Sequence, residues 1–252
     1  MSENISNQDS IEQRSLDFIK NHLNKEDCFG LSDQQFVQLK SWLESAQLNP
    51  LSTTFPDIVF NNGFIEHFAI TSSSENKKGA QQTRESTIFN KNSENNFLKN
   101  LDTSEQYELV SNSYSRPFEP HSHNNVIKSI QKNWSKHIIS YEKSMNSSEH
   151  RIFLLEYLDS NIHTAITRKN EPAEIFESYR INTDKILLDW IYKYKEKIDY
   201  LILINPVSFS LEVIKIDSIP KILEKEIEVI YAPISGFESH GYHGVKLPGK
   251  DI

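Results

Sequence analysis

The sequence predicts an α/β fold, a mixed β-sheet flanked by helices, on three observations. Short β-rich runs alternate with amphipathic helical stretches, no clean linker separates them, and RIFLLEYL at 151–158 is apolar enough for a buried strand. At 252 residues, 37% of them hydrophobic and 25% charged, the chain can bury a substantial core. The expected organisation is one domain over 1–252, with residues 1–10 disordered and 72–96 forming a polar, mobile loop rich in Ser, Asn, Lys and Gln.

Each element has its own signature. Ile11, Leu16, Ile19 and Leu23 recur at helical spacing. A second helix starts at a Ser32 N-cap, places Phe36, Leu39, Trp42 and Leu43 on one face, and stops at Asn49-Pro50. Residues 55–60 and 64–70 read as strands around Asn61-Asn62-Gly63, because Asn and Gly accept positive φ. A helix is expected over 98–110, before Arg116-Pro117 and Glu119-Pro120 break the chain. The fullest helical pattern is 124–141, with Ile127, Ile130, Trp134, Ile138 and Tyr141 inward and Lys128, Lys132 and Lys136 as a second row. A helix over 182–197, strands over 200–204 and 211–216, a short helix over 219–225 and a strand over 227–231 complete the order.

Composition narrows the function. The net charge of −8 argues against broad nucleic-acid binding, which draws on Lys and Arg against phosphates, although a local basic face can act within an acidic protein. No apolar run approaches the ~20 residues that span a bilayer. The first residues lack the basic and apolar regions of a secretory signal, so a cytoplasmic protein is the expectation. A single cysteine, Cys28, excludes an internal disulfide framework and a multi-cysteine zinc site. His121, His123, His240 and His243 lack metalloprotease spacing and read as surface loop residues.

The candidate site lies in 55–73, FPDIVFNNGFIEHFAITSS. Strand alternation places Phe64, Glu66, Phe68 and Ile70 on one face and Ile65, His67 and Ala69 on the other. A carboxylate among large apolar residues must be protonated, paired or bound to a cation. With Asn62-Gly63 as a two-residue loop, Val59 opposes Glu66 and Asp57 opposes Phe68. Asp57 and Glu66 are then diagonal neighbours, roughly 7–8 Å apart at Cα. Two such carboxylates can converge on Mg²⁺, which takes oxygen ligands and keeps several waters. A shift of one residue sends Glu66 to the opposite face. Glu44, late in the second helix, is either a third acidic ligand or a surface residue.

Pro56-Asp57, a short spacer and Glu66 in the following strand resemble the PD-(D/E)XK nuclease superfamily, which includes restriction endonucleases and repair nucleases. The order of helix, β-hairpin, helix, strand and helix over roughly residues 36–216 is similar to its common core. The resemblance implies a restriction-endonuclease-like core and Mg²⁺-dependent phosphodiester hydrolysis of DNA, in restriction or phage defence. Asp57 and Glu66 would then hold Mg²⁺, or Mn²⁺ in its place. The family places a lysine two residues after the glutamate, where this sequence has Phe68. Lys77, Lys78 or the row Lys128, Lys132 and Lys136 would have to replace it. That row otherwise reads as a solvated helix face or a nucleic-acid-binding one. An associated helicase or ATPase subunit could deliver the nucleic acid to so acidic a chain, and a homodimer could cut both strands. The alternative is a catalytically inactive accessory, immunity or interaction protein on the same fold.

Overall fold

The computed structural model describes residues 7–51, 54–73, 79–103, 108–117, 121–144, 146–169, 171–234 and 237–246. In chain order the elements are α1 (Asn7–His22), β1 (Cys28–Phe29), α2 (Asp33–Ser45), β2 (Gln47–Leu48), β3 (Ile58–Phe60) and β4 (Gly63–Ile70). Next come α3 (Gly79–Thr103), β5 (Leu109–Pro117), α4 (His123–Ser144), β6 (His150–Tyr157), β7 (Ile162–Thr167) and β8 (Glu174–Phe176). The last are α5 (Lys185–Tyr192), β9 (Tyr200–Asn205), β10 (Ser210–Lys215), α6 (Ile219–Leu223), β11 (Glu228–Pro233) and β12 (Phe237–Val245). Contacts divide the chain into two compact units, 1–72 with 122–233 and 73–121 with 234–252.

The larger unit is α/β. Its seven-stranded mixed sheet runs β1-β10-β9-β6-β4-β3-β2, with β4, β6 and β9 parallel and β3 antiparallel to β4. All six residues of β9 and most of β6 are buried, as strands covered on both faces require. One face, carrying Phe64, Phe68, Phe153, Leu155 and Leu201, packs against Val126, Ile130, Trp134 and Ile138 of α4 and Leu187, Leu188 and Ile191 of α5. The other face, carrying Ile65, Ile152, Leu154 and Ile202, packs against Leu16 and Ile19 of α1 and Leu39, Trp42 and Leu43 of α2. The Ser32 N-cap is present, with its hydroxyl accepting from Gln35 N–H and the Gln35 side chain accepting from Ser32 N–H. A three-stranded sheet, β11-β7-β8, completes the unit.

The smaller unit pairs β5 with β12 over nine residues in an antiparallel ribbon packed on α3. The stretch expected to be a loop is therefore largely the 25-residue helix α3. Its polar composition hides a row at every fourth position, Phe89, Ser93, Phe97 and Leu101. Phe97 stacks on Tyr242 at 5.4 Å and Phe89 packs on His240 at 5.3 Å. The helix expected over 98–110 is the end of α3 followed by β5. Among the described residues, no helix is long and apolar enough to cross a membrane.

The β3–β4 hairpin differs from the expected register. Phe60 pairs with Gly63, Val59 with Phe64 and Ile58 with Ile65, so Asn61 and Asn62 form the loop. Asn62 takes the left-handed conformation at φ 60°. Gly63 instead meets a packing demand, because a Cβ there would lie 2.2 Å from the Phe60 ring and 2.7 Å from the His150 carbonyl oxygen. Gly63→Ala is expected to destabilise the protein by about 1–3 kcal/mol through this overpacking, measured by urea denaturation. An unchanged midpoint would show that the neighbours give way freely.

Candidate functional site

The observed register slides the hairpin by two residues from the expected one, so each side chain keeps its face. Continuing the pairing one step past Ile58 sets Asp57 directly opposite Glu66 rather than diagonal to it. The two are locked by backbone contacts. Asp57 N–H donates to Glu66 Oε2 at 3.3 Å, and His67 N–H donates to Asp57 Oδ2 at 2.8 Å. Asn49, ahead of the hairpin, holds the approach by donating from its side chain to the Pro56 carbonyl at 2.7 Å and from its backbone to the Asp57 carbonyl at 2.8 Å.

Glu66 is buried, and its partner comes from α4. His137 Nδ1 donates to Glu66 Oε1 at 2.6 Å. The imidazole lies flat on the Phe68 ring, with centroids 4.7 Å apart and planes at 17°. Phe68 thus occupies the position two after the glutamate and supports a nitrogen base from another element. His137 belongs to a row at i, i+4, i+8 that runs beside β4. Ser129 accepts from Thr71 N–H at 3.2 Å, Asn133 donates to the Ala69 carbonyl at 3.0 Å, and His137 meets Glu66. An aromatic wall of Phe55, Phe64 and Tyr141 stands on the other side of the hairpin acids.

The electrostatics follow from this enclosure. Burial first, and the facing Glu66 second, push the Asp57 carboxyl up to about 6, against the opposing effect of the His67 N–H. On the opposite sheet face His67 Nε2 lies 3.1 Å from Glu156 Oε2, and Ser15 Oγ donates to the same oxygen at 3.1 Å. Burial alone would raise the Glu156 carboxyl, but the hydrogen bonds from His67 and Ser15 outweigh it and hold it below the ordinary range. Because His67 Nε2 faces both partners at once, this trio lacks the two-sided imidazole of a nucleophilic triad. Its role is to lock α1 onto β4.

The other expected site residues are placed differently. Glu44 is exposed on α2, which packs against the sheet face opposite Glu66, so it does not join the acid pair. Lys128, Lys132 and Lys136 are exposed on α4, turned away from its buried stripe. Lys77 and Lys78 lie outside the described residues. The Cys28 thiol is pushed up to about 12 by burial and the neighbouring Asp27, which makes it a poor nucleophile. His123 is no surface loop residue. It sits in the first turn of α4 with Nε2 2.6 Å from the buried Asp184 and stacks on Tyr231.

No protein-family model, curated protein or solved structure matches the chain.

The acid pair suits a hard divalent cation in ligand type. Among the described residues Asp57 Oδ1 accepts no hydrogen bond, and both Glu66 oxygens keep a lone pair beyond the bonds described. Two carboxylates with water filling the remaining positions is an arrangement Mg²⁺ adopts. No group of three or more His, Cys, Asp or Glu side chains forms a metal cage among the described residues. A cation held there would have to draw the rest of its shell from water. His137, which sequence reasoning missed, is the third polar side chain of the candidate site.

Proposed function

We propose that the larger unit is a divergent restriction-endonuclease-like domain that hydrolyses phosphodiester bonds in DNA with a divalent cation. One observation carries this reading. Two carboxylates face each other across a hairpin, half-buried and buried, and one is driven up to about 6 by burial first and by the other carboxylate second. Such a pair is costly without a cation beside it.

In this reading Asp57 and Glu66 hold the cation, Mg²⁺ or Mn²⁺. Bound there, Mg²⁺ supplies Lewis-acid polarisation of the phosphate and a water made more acidic. The chain's own residues do the rest. Glu66 fixes His137 as the Nδ1–H tautomer, which leaves Nε2 with a lone pair able to take a proton from the attacking water. Phe68 holds the imidazole plane from beneath. The role that a lysine has in the resembling family thus passes to a histidine on α4. Lys128, Lys132 and Lys136, exposed on the same helix, are suited to backbone phosphates. A second reading, an inactive accessory or immunity protein, is favoured by the apolar Phe68 at the lysine position.

Purified protein incubated with plasmid or linear DNA and Mg²⁺ or Mn²⁺ is expected to cut it. Asp57→Ala and Glu66→Ala should abolish cutting. His137→Ala should lower the rate by a factor on the order of 10² to 10⁴, the usual worth of a general base. Circular dichroism checks that the variants stay folded. Absence of cutting with every divalent metal, alone or with a helicase or ATPase partner, would move the assignment to the accessory reading.

A further inference from the structure

A second feature of the larger unit lies apart from the acid pair. A cleft of about 520 Å³ opens between the end of α1, the strand β8 and the β9–β10 hairpin. Its volume is in the range of ligand-binding clefts. Ser178, Ser208 and Ser210 supply hydroxyls to its wall, linked in a chain from Ser208 to Ser210 to Ser178. Arg180 also lines it, with Nε 3.2 Å from Oε1 of the buried Glu212 and its guanidinium over the Phe176 ring at 4.8 Å. Glu212 titrates near 7, so this pair carries only a fractional positive charge at neutral pH. The other lining residues that can carry charge are Asp27 and Glu177, both acidic, and His22, which is counted as neutral at pH 7. The cleft is therefore anionic.

Its rim is apolar and its side is an open strand edge. Ile175 is 72% and Phe209 74% exposed, although both are large and hydrophobic. Phe209 also holds a left-handed backbone at φ 52°, where aromatic residues are rare. Among the described residues β8 pairs only with β7, which leaves its second edge, beside the cleft, without a strand partner.

We propose that this cleft docks an extended, basic segment of a partner protein. An arginine or lysine side chain enters between Asp27 and Glu177, the segment's backbone extends the sheet at β8, and its apolar residues cover Ile175 and Phe209. Strand addition supplies affinity through main-chain bonds, and side-chain pockets supply selectivity. Charge complementarity chooses this occupant over an acidic one.

Three fluorescein-labelled peptides of equal length, alternating Val with Arg, Glu or Ser, test it against the full chain by anisotropy. The Arg–Val peptide is expected to bind, to weaken with salt, and to slow amide exchange in Glu174–Phe176. The Glu–Val peptide is expected not to bind. Asp27→Asn with Glu177→Gln should weaken the Arg–Val peptide about tenfold, since each exposed ion pair contributes modestly. Failure of the Arg–Val peptide to bind, equal binding of the Glu–Val peptide, or a footprint elsewhere would overturn the proposal. So would protection of Glu174–Phe176 that appears without peptide at high protein concentration, since the occupant would then be a second copy. The readout does not involve the acid pair, so its outcome is independent of the cleavage assay.

Discussion

Asp57→Asn is expected to stabilise the protein at pH 8 and to leave it unchanged at pH 4. The folded carboxyl titrates near 6, above the ordinary value of 3.8. As pH rises past about 4 the unfolded chain releases this proton while the folded chain keeps it, so stability falls until about pH 6 and then levels off. The shift, at about 1.4 kcal/mol per unit, sets an upper bound of about 3 kcal/mol, and partial exposure reduces it to about 2 kcal/mol. Asparagine keeps an acceptor for the His67 N–H and offers Glu66 a donor in place of a like charge. Thermal midpoints of wild type and variant across pH 4–8 measure the difference. Mg²⁺ or Ca²⁺ is expected to recover the lost stability in wild type at pH 8 and to have little effect on the variant, because binding to the folded state alone shifts the unfolding equilibrium. A variant no more stable than wild type at pH 8 would show that the facing carboxylates are not in conflict.

Arg180→Met is expected to cost about 1–3 kcal/mol at pH 8, because it strands the buried Glu212 carboxylate without its cation, and a carboxyl that titrates near 7 escapes by keeping its proton at about 1.4 kcal/mol per pH unit above that value. Methionine keeps much of the contact with Phe176, so the loss reports charge rather than volume. Glu212 already titrates near 7, raised from 4.5 chiefly by burial and lowered by Arg180 and by the Ile181 N–H. Stability therefore falls as pH rises from about 4.5 to about 7, and without Arg180 the fall should continue at the same slope to higher pH. At pH 5 the deficit should be smaller, since the folded protein can then keep Glu212 protonated. Adding Glu212→Gln to Arg180→Met should restore most of the stability. Glutamine still accepts from Ile181 N–H, which meets Glu212 Oε2 at 2.6 Å, while the buried charge is gone. A double variant as unstable as the single one would assign the loss to packing instead.

The parts of this fold that were legible in the sequence are those with one dominant demand. The strands β6 and β9 must be apolar on both sides, and α4 buries Ile130, Trp134 and Ile138 of the expected stripe, with Val126 buried and Ile127 and Tyr141 half-buried beside them. The helix α3 was hidden because two phenylalanines eight residues apart, with a serine midway, suffice to seat it on the β5–β12 ribbon. In the hairpin, Asn62-Gly63 has the composition of a turn, yet Gly63 is a strand residue whose missing Cβ leaves room for the Phe60 ring. Burial of Glu66 was legible from alternation, because a two-residue slide preserves the face, and pairing was one of three outcomes that burial left open. Its partner was not. The lysines of α4 form the conspicuous polar row, while Ser129, Asn133 and His137 form a quieter one at the same spacing. Only the register of α4 against β4 reveals which row touches the strand.

Glu66 and His67 are neighbours that point to opposite sides of one sheet, each to a partner of the other kind. This arrangement makes β4 sensitive to its reading frame during folding. Sliding the strand so that Glu66 takes the place of His67 would aim it at Glu156 and would bring His67 toward His137. Acid would then meet acid and imidazole would meet imidazole, on both surfaces at once. A chain that docks β4 one residue out of step in that direction loses both the Glu66–His137 and the His67–Glu156 contacts. The polar contacts that assemble the candidate site thus also identify the correct alignment of β4.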